Sequence, residues 1–360
     1  MSEEHDDTFA ITIDGQRTTA RAGETVIEVA ARLGVAIPTL CHDTRLDPTG
    51  ACRMCLVEVS TQRRMQPACK FGVTKDMDVI TASERVQRHR QGLLSLYMAD
   101  HPIASDGLPE ERATGNALRD HVTSFGLGPD LPPIEVEREN RVDANPYIHF
   151  DSSSCINCAR CVRYCDEVEA VSAISLAGRG ASTTIATAGQ IGLLDSTCEL
   201  CGGCIDTCPT GAMSEMQSLG MLSLQEEKVR TTCNFCGVGC QMDLHVRDNK
   251  VVRVSSPPPG ETVNDGNLCV KGRFSFEFIH HDERLTQPLI RGADGVLHPA
   301  SWDEALRVTA AGLMGVKDKY GADSLGFISS SRCTGEENYL VQKLSRAAFG
   351  TNNCHQCAAT

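Results

Sequence analysis

A chain of 360 residues, 41% hydrophobic and 22% charged, is long enough for two or three domains with a core in each. Its formal charge of −13 excludes nucleic acid as an expected partner, and no apolar run approaches the roughly 18 residues of a membrane span. The 19 cysteines are far above ordinary usage. Met1 to Asp7 is acidic and lacks the features of a secretory leader, so a cytoplasmic chain whose thiols bind metal is expected.

In chain order, Phe9 to Ile13 alternates as a strand, Asp14-Gly15 is a hairpin turn, and Gln16 to Arg21 returns. Thr25 then caps a helix with Val26, Ile27, Ala30 and Leu33 at helical spacing, ending at Gly34. Strand, strand, helix is how a β-grasp domain begins, and residues 1–80 are read as one. Cys41, Cys52, Cys55 and Cys69 follow as C-x10-C-x2-C-x13-C, related to the spacing that holds a 2Fe-2S cluster in plant-type ferredoxins. Small or apolar Gly50, Ala51 and Met54 let backbone amides approach the sulfides. A zinc site is the other use of four such thiols. The x10 and x13 intervals resemble the N-terminal domain of the large iron-sulfur subunit of respiratory complex I and its relatives, the iron-only hydrogenases and NAD-linked formate dehydrogenases.

Residues 81–146 read as a helix from a Ser83 cap to about Ala99, then a short helix and a linker ending in Pro132-Pro133 and Asn145-Pro146. In the resembled family this helix precedes a histidine and three cysteines that hold a further 4Fe-4S cluster. His101 stands where that histidine would, but the chain has no cysteine between Cys69 and Cys155, and Gly115-Asn116-Ala117 resembles the family's Gly-Asn-Cys with alanine substituted. The resemblance therefore implies that this cluster is absent, leaving His101 an ordinary residue at a helix end.

Residues 147–222 carry Cys155, Cys158, Cys161, Cys165 and, 43 positions on, Cys198, Cys201, Cys204, Cys208. Each run reads C-x2-C-x2-C-x3-C, the signature of a double 4Fe-4S ferredoxin in which the fourth thiolate of each run ligates the other cluster. The expected sets are Cys155, Cys158, Cys161 with Cys208, and Cys198, Cys201, Cys204 with Cys165. Paired zinc sites are the alternative. The insert from Val168 to Ser196 includes a β-rich stretch, Ser182 to Leu194.

The third pattern is Cys233, Cys236 and Cys240, just before a hairpin of Met242 to Val246 and Val251 to Val254, closed by Cys269. Spacing alone allows a zinc ribbon. Cys269-Val270-Lys271-Gly272 resembles the 4Fe-4S-bearing first domain of molybdopterin oxidoreductases, and that resemblance puts Lys271 between cluster and pterin. A helix from Trp302 to about Tyr320, a strand from Ser324 to Ile328 and a helix from Glu336 to Phe349 open an α/β unit. Ser330-Ser331-Arg332, Glu336-Glu337-Asn338-Tyr339 and Gly350-Thr351-Asn352-Asn353 resemble formate dehydrogenase catalytic subunits, which implies an active-site role for Arg332. Residues 228–360 are thus expected to be the N-terminal part of a molybdopterin oxidoreductase domain. Aligned without a gap on Cys357-Ala358, the family's molybdenum- or tungsten-binding cysteine or selenocysteine falls at position 361, so truncation there is expected and no catalytic residue lies in the chain. Cys354, His355 and Cys357 offer a zinc site or free thiols at a frayed end.

The expected protein is α+β and modular: a β-grasp 2Fe-2S domain, a double 4Fe-4S ferredoxin and an incomplete α/β molybdopterin oxidoreductase domain. With one 2Fe-2S and three 4Fe-4S clusters on sixteen thiolates its charge would be about −21. The resemblance implies the electron-transfer portion of a formate dehydrogenase alpha subunit. Its partners would be flavin- and NAD-binding diaphorase or hydrogenase-type subunits, and bis-molybdopterin guanine dinucleotide would be present only in the complete protein. A stand-alone electron-transfer subunit and a complex I large-subunit-like protein are the alternatives.

Overall fold

Phe9, Ile11 and Ile13 alternate with Thr8, Ala10 and Thr12 in β1 (Thr8–Ile13), which pairs antiparallel with β2 (Gln16–Arg21). Asp14 and Gly15 between them both take positive φ, +49° and +78°, the geometry that matches the twist of a tight hairpin. The architecture is that of a computed structural model, which describes residues 8–101, 116–127, 143–219 and 226–357 in two units, Met1–Glu226 and Glu227–Thr360.

In the first unit α1 (Val26–Arg32) begins where the N–H and Oγ1 of Thr25 donate to the Glu28 carboxylate at 2.7 and 2.8 Å. β3 (Leu56–Val59), β4 (Gln66–Pro67) and β5 (Asp78–Ile80) complete a five-stranded sheet in the order β2-β1-β5-β3-β4, with β1 and β5 parallel. Ile11, Ile13, Val57, Val59 and Val79 bury their side chains against Val26, Val29 and Ala30 of α1. Removing each such side chain from water stabilises the sheet by about 1.5–3 kcal/mol before entropy is counted.

A second core lies over the cysteine loop. α2 (Glu84–Asp100) starts where Ser83 Oγ accepts the Val86 N–H, and α3 (Ala117–Ser124) where Asn116 Oδ1 accepts the Arg119 N–H. Leu94, Met98, Leu118 and Val122 close over Leu40, Cys41, Cys52 and Met54. Arg90 of α2 is 3% exposed and donates to the carbonyls of Met54 and Leu56 at 3.1 and 3.3 Å, satisfying loop acceptors that the core would otherwise strand. His101, just past α2, is buried. Pro102, Gly115 and most of the linker, including Pro132-Pro133, lie outside the described residues.

Next come β6 (Ile148–Phe150), α4 (Arg160–Arg163), β7 (Ile174–Ala177), β8 (Thr184–Thr187), α5 (Gly203–Asp206) and β9 (Met213–Glu215). β6 pairs with β9 and β7 with β8, both antiparallel. The stretch expected from Ser182 to Leu194 is therefore one short strand followed by 3-10 turns at Ala188–Gln190 and Leu193–Asp195. Its partner β7 is only four residues long, too short for a readable alternation.

The second unit opens with an antiparallel meander, β10 (Glu227–Thr232), β11 (Gln241–Arg247) and β12 (Lys250–Ser255), whose tight turn has Asp248 and Asn249 at φ +49° and +58°. α6 (Val270–Phe274) follows Cys269, and β13 (Leu289–Arg291) pairs with β14 (Leu297–Pro299). α7 (Trp302–Tyr320) starts at a Ser301 cap and buries none of its residues, with Trp302 69% and Leu306 60% exposed.

β15 (Phe327–Ser330), α8 (Gly335–Lys343) and β16 (Cys354–Cys357) form a strand–helix–parallel-strand unit. The strand starts later than Ser324 because Ala322–Ser324 is a 3-10 turn, and the helix expected to reach Phe349 widens to a π turn over Leu344–Phe349. Cys354–Cys357 is strand rather than frayed end, held by pairing with Phe327 to Ser330. Among the described residues no helix is long and apolar enough to cross a membrane.

Candidate metal centres

The loop between α1 and β3 curls through two left-handed residues, Gly50 (φ +64°) and Arg53 (φ +60°), and so turns Cys52 and Cys55 inward toward Cys41 and Cys69. All four are at most 5% exposed. Cys41 Sγ accepts the Cys52 N–H at 3.3 Å, and Cys55 Sγ donates to Cys69 Sγ at 3.5 Å. A hydrogen bond from the Cys52 thiol outweighs burial and holds Cys41 down to about 5, while the same bond and burial push Cys52 up. In the second pair Cys69 is lowered and Cys55 raised for the same reason. Four buried sulfurs brought together in two hydrogen-bonded pairs are a donor set that fits a dinuclear iron centre.

Two sulfur-lined cavities lie in the ferredoxin-like part. Cys165, Cys198, Cys201 and Cys204 line one, and Cys155, Cys158, Cys161 and Cys208 line the other. Each wall takes three sulfurs from one run and one from the other. The local cause is a repeated backbone: Asn157 and Ala159 (φ +53° and +57°) in the first run match Leu200 and Gly202 (φ +53° and +74°) in the second. Left-handed turns at the same two offsets bend three successive thiols around one point. A bulky leucine in that region is strained, a cost the cluster loop must hold in place.

Backbone N–H groups point at the sulfurs: Asn157 to Cys155 at 3.4 Å, Ala173 to Cys165 at 3.2 Å, Leu200 to Cys198 at 3.4 Å and Met213 to Cys208 at 3.5 Å. Such donors favour thiolate over thiol and tune the potential of a bound cluster. Burial acts in the opposite direction, pushing Cys158 up to about 12 and Cys161 well above its ordinary value. Charge compensation from iron is what these thiols require before they ionise. Sulfur-lined cavities with amide donors fit polynuclear iron clusters; among the described residues no three His, Cys, Asp or Glu side chains group around a single metal ion.

In the second unit Cys233 is buried, Cys240 half-buried, and Cys236 and Cys269 exposed. The Cys233 N–H donates to the Cys240 carbonyl at 2.8 Å, closing the turn, and Gly239 (φ +74°) provides its left-handed step. α6 lies on this turn: a Cβ added to Gly272 would sit 3.6 Å from Cys233 Sγ. Lys271 is exposed one residue earlier. A Cβ at Gly237 would lie 3.7 Å from the Ser331 carbonyl, so the cysteine turn meets the turn bearing Arg332, which is exposed and donates its N–H to Ser330 Oγ at 3.1 Å. Cys354 and His355 are neighbours in β16 and face opposite sides, so they do not share a site. The Gly350-Thr351-Asn352-Asn353 motif forms the turn that leads into β16: Gly350 ends the helix at φ +76°, and Asn353 Nδ2 donates to the carbonyls of Asp323 and Leu325.

Sequence reasoning missed Asp43. Its carboxylate accepts from Arg45 at 2.9 and 3.0 Å, from Arg160 at 3.0 Å and from Thr207 Oγ1 at 2.9 Å. Arg163 adds bonds to the carbonyls of Cys41 and Asp47 at 2.5 and 2.6 Å. Hydrogen bonds and the charges of its partners overcome the effect of burial and hold Asp43 well below the usual carboxylate range. The only signal in the sequence was that Arg160 and Arg163 are charged residues placed between cysteines.

Residues 6–84 match the 2Fe-2S iron-sulfur cluster binding domain, 145–214 the ferredoxin-like domain of NADH-quinone oxidoreductase subunit 3, 226–281 the molybdopterin oxidoreductase Fe4S4 domain and 284–360 the molybdopterin oxidoreductase family. The chain is 35% identical to the NADPH-Fe(3+) oxidoreductase subunit alpha of Geobacter sulfurreducens over 96% of its length and 40% of that protein. It is 37% identical to an NADH-quinone oxidoreductase subunit of Rhizobium meliloti (95% and 39%), and 28% identical to a provisionally named formate dehydrogenase of Staphylococcus haemolyticus (97% and 39%). A chain of an NAD+-reducing [NiFe]-hydrogenase superposes with a TM-score of 0.48 at 26% identity, over 57% of this chain and 87% of that one. The chain spans about two-fifths of the length of the curated relatives it matches. With four matched segments in this order, the chain is modular, with a 2Fe-2S segment, a ferredoxin-like segment and a second unit that matches the molybdopterin oxidoreductase Fe4S4 domain and the start of the molybdopterin oxidoreductase model, and it is similar along most of its length to an NADH-quinone oxidoreductase subunit and to provisionally named formate dehydrogenases.

Proposed function

We propose that the chain is the iron-sulfur electron-transfer portion of a cytoplasmic formate dehydrogenase alpha subunit, linking a molybdopterin site to a flavin/NAD-binding diaphorase or hydrogenase-type partner. The observation that carries this reading is the pair of cavities, each walled by three cysteines of one run and one of the other. Cys41, Cys52, Cys55 and Cys69 would hold a 2Fe-2S cluster in a β-grasp frame. The two crossed sets and Cys233, Cys236, Cys240 and Cys269 would each hold a 4Fe-4S cluster. When bound, these centres supply one-electron carriers.

The protein's own contribution is to fix and shield them. Leu94, Met98 and Leu118 keep water from the first centre, and amides of Asn157, Ala173, Leu200 and Met213 aim their dipoles at the cluster sulfurs. Lys271, exposed on α6, and Arg332, exposed on the turn after β15, lie beside the Cys233 set and are assigned to face bis-molybdopterin guanine dinucleotide, with molybdenum or tungsten, in the longer protein. Because the chain spans two-fifths of its relatives, formate turnover is ascribed to that longer protein and not to these residues.

Metal analysis of anaerobically purified or reconstituted chain tests the reading, with about 14 iron atoms per chain and no zinc expected. Zinc bound at Cys233 would undo that assignment, and about 18 iron atoms would restore a cluster at His101. Formate-dependent dye reduction should be absent from this chain and present in the longer protein. Relatedness to an NADH-quinone oxidoreductase subunit supports a second reading as a complex I-like protein, for which the longer protein would reduce no dye with formate.

A further inference from the structure

The loop of the first cysteine set and the turns of the double ferredoxin are joined through charge. Asp43 lies two residues after Cys41, Arg160 between Cys158 and Cys161, and Thr207 immediately before Cys208. The side chains of Asp43, Arg45 and Arg160 are only 6%, 10% and 17% exposed. Arg160 reaches both other partners, donating through Nη2 to Asp43 at 3.0 Å and through Nε to Thr207 Oγ1 at 3.1 Å. Glu167, on the turn after Cys165, accepts the Asp47 N–H at 2.7 Å. Apolar packing follows the same line, since Ile156 and Cys158 lie against the cluster that contains Cys41 and Cys52.

We propose that Asp43, Arg45, Arg160 and Thr207 form a positioning clamp that fixes the Cys41 loop against the Cys155–Cys161 turn and sets the one-electron potentials of those two centres together. The proposal rests on the cluster assignment above. Its physical content is a sign. A reduced cluster carries one more negative charge than an oxidised one, and a nearby carboxylate opposes that charge while a guanidinium favours it. Burial keeps water from screening either. The network holds one carboxylate between two guanidiniums, so neutralising the carboxylate makes it more positive and neutralising a guanidinium makes it less positive, and the sign of each change is known in advance.

The test is an anaerobic redox titration of the full chain, followed by electron paramagnetic resonance, for wild type, Asp43→Asn and Arg45→Gln. Asp43→Asn should raise the potentials of the 2Fe-2S centre and the Cys155 centre, each by at least a threefold change in the one-electron equilibrium constant. Arg45→Gln should lower them by at least as much, and the Cys233 centre should stay where it is in both. Shifts of the same direction in the two variants indicate simple loosening and overturn the clamp, as do shifts under threefold. If Asp43→Asn does not retain iron, Arg45→Gln decides alone by the same threshold and sign. Wild type without a 2Fe-2S signal overturns the cluster assignment and this inference together, whereas full wild-type signals with unmoved variants overturn the clamp alone.

Discussion

Gly203 lies directly beneath the ring of Tyr164: a Cβ built on it would fall 1.9 Å from the ring's Cε1. The glycine sits between Cys201 and Cys204 and the tyrosine immediately precedes Cys165, so one contact locks the two halves of a single candidate centre. Tyr164 has no room to yield, being 1% exposed, bonded to Glu169 at 3.2 Å and covered by Arg45 at 4.8 Å. Overpacking on this scale costs about 1–3 kcal/mol or more. Gly203→Ala should lose about 4 iron atoms per chain, and adding Tyr164→Ala should recover them; iron analysis of both variants checks this.

The crossed sulfur sets predict an exchange of losses. Cys165→Ser should abolish the signal of the centre formed by the second run and leave the first, while Cys208→Ser should do the reverse. Mössbauer or paramagnetic resonance spectra of the two variants read this out. If each serine removed the centre of its own run, the assignment of the cavity walls to clusters would be wrong.

Leu94 is fully buried among Leu40, Cys41, Cys52 and Met54. Leu94→Ala should destabilise the first unit by about 2–5 kcal/mol, the cost of the lost contacts and the residual void. Urea unfolding followed both by circular dichroism and by visible absorbance should show the 2Fe-2S chromophore bleaching at lower urea than in wild type.

Asp243, 1% exposed in β11, is paired with Lys228 at 2.8 Å and Arg230 at 2.8 Å. Burial alone would push its carboxyl up, but hydrogen bonds and charge from Arg230 and Lys228 prevail and hold it below the usual range. A depressed folded-state value means that the stabilisation is present above the unfolded carboxylate value and is lost as pH falls through the folded one. The second unit should therefore weaken progressively below about pH 4. Asp243→Asn should cost about 1–2 kcal/mol at pH 7, after screening at the half-exposed partners, and flatten the acid limb of a melting-temperature profile.

What was legible in the sequence was whatever depends on short spacing. The first hairpin, the helices α2 and α7 and the β11–β12 turn each follow from residues within about 20 positions of one another. β7 and β16 were not legible because four residues carry too little pattern, and β16 exists only by pairing with a strand 27 residues earlier. Asp43 was hidden for the same reason in stronger form: its bond to Thr207 spans 164 residues, and an aspartate two positions after a cysteine looks like any polar loop residue. The left-handed Leu200 was also unreadable, since only its equivalence to Asn157 reveals that the turn demands it.

Arg90 reaches from α2 into the loop of the first cysteine set, yet all of α2 after Glu84 lies beyond the segment, residues 6–84, that matches the 2Fe-2S domain. An engineer who transplants that segment alone would expose Leu40 and Met54 and leave the carbonyls of Met54 and Leu56 without their donor. The transferable unit is larger than the recognisable one: it needs the helix, and with it the Leu118 and Val122 face of α3.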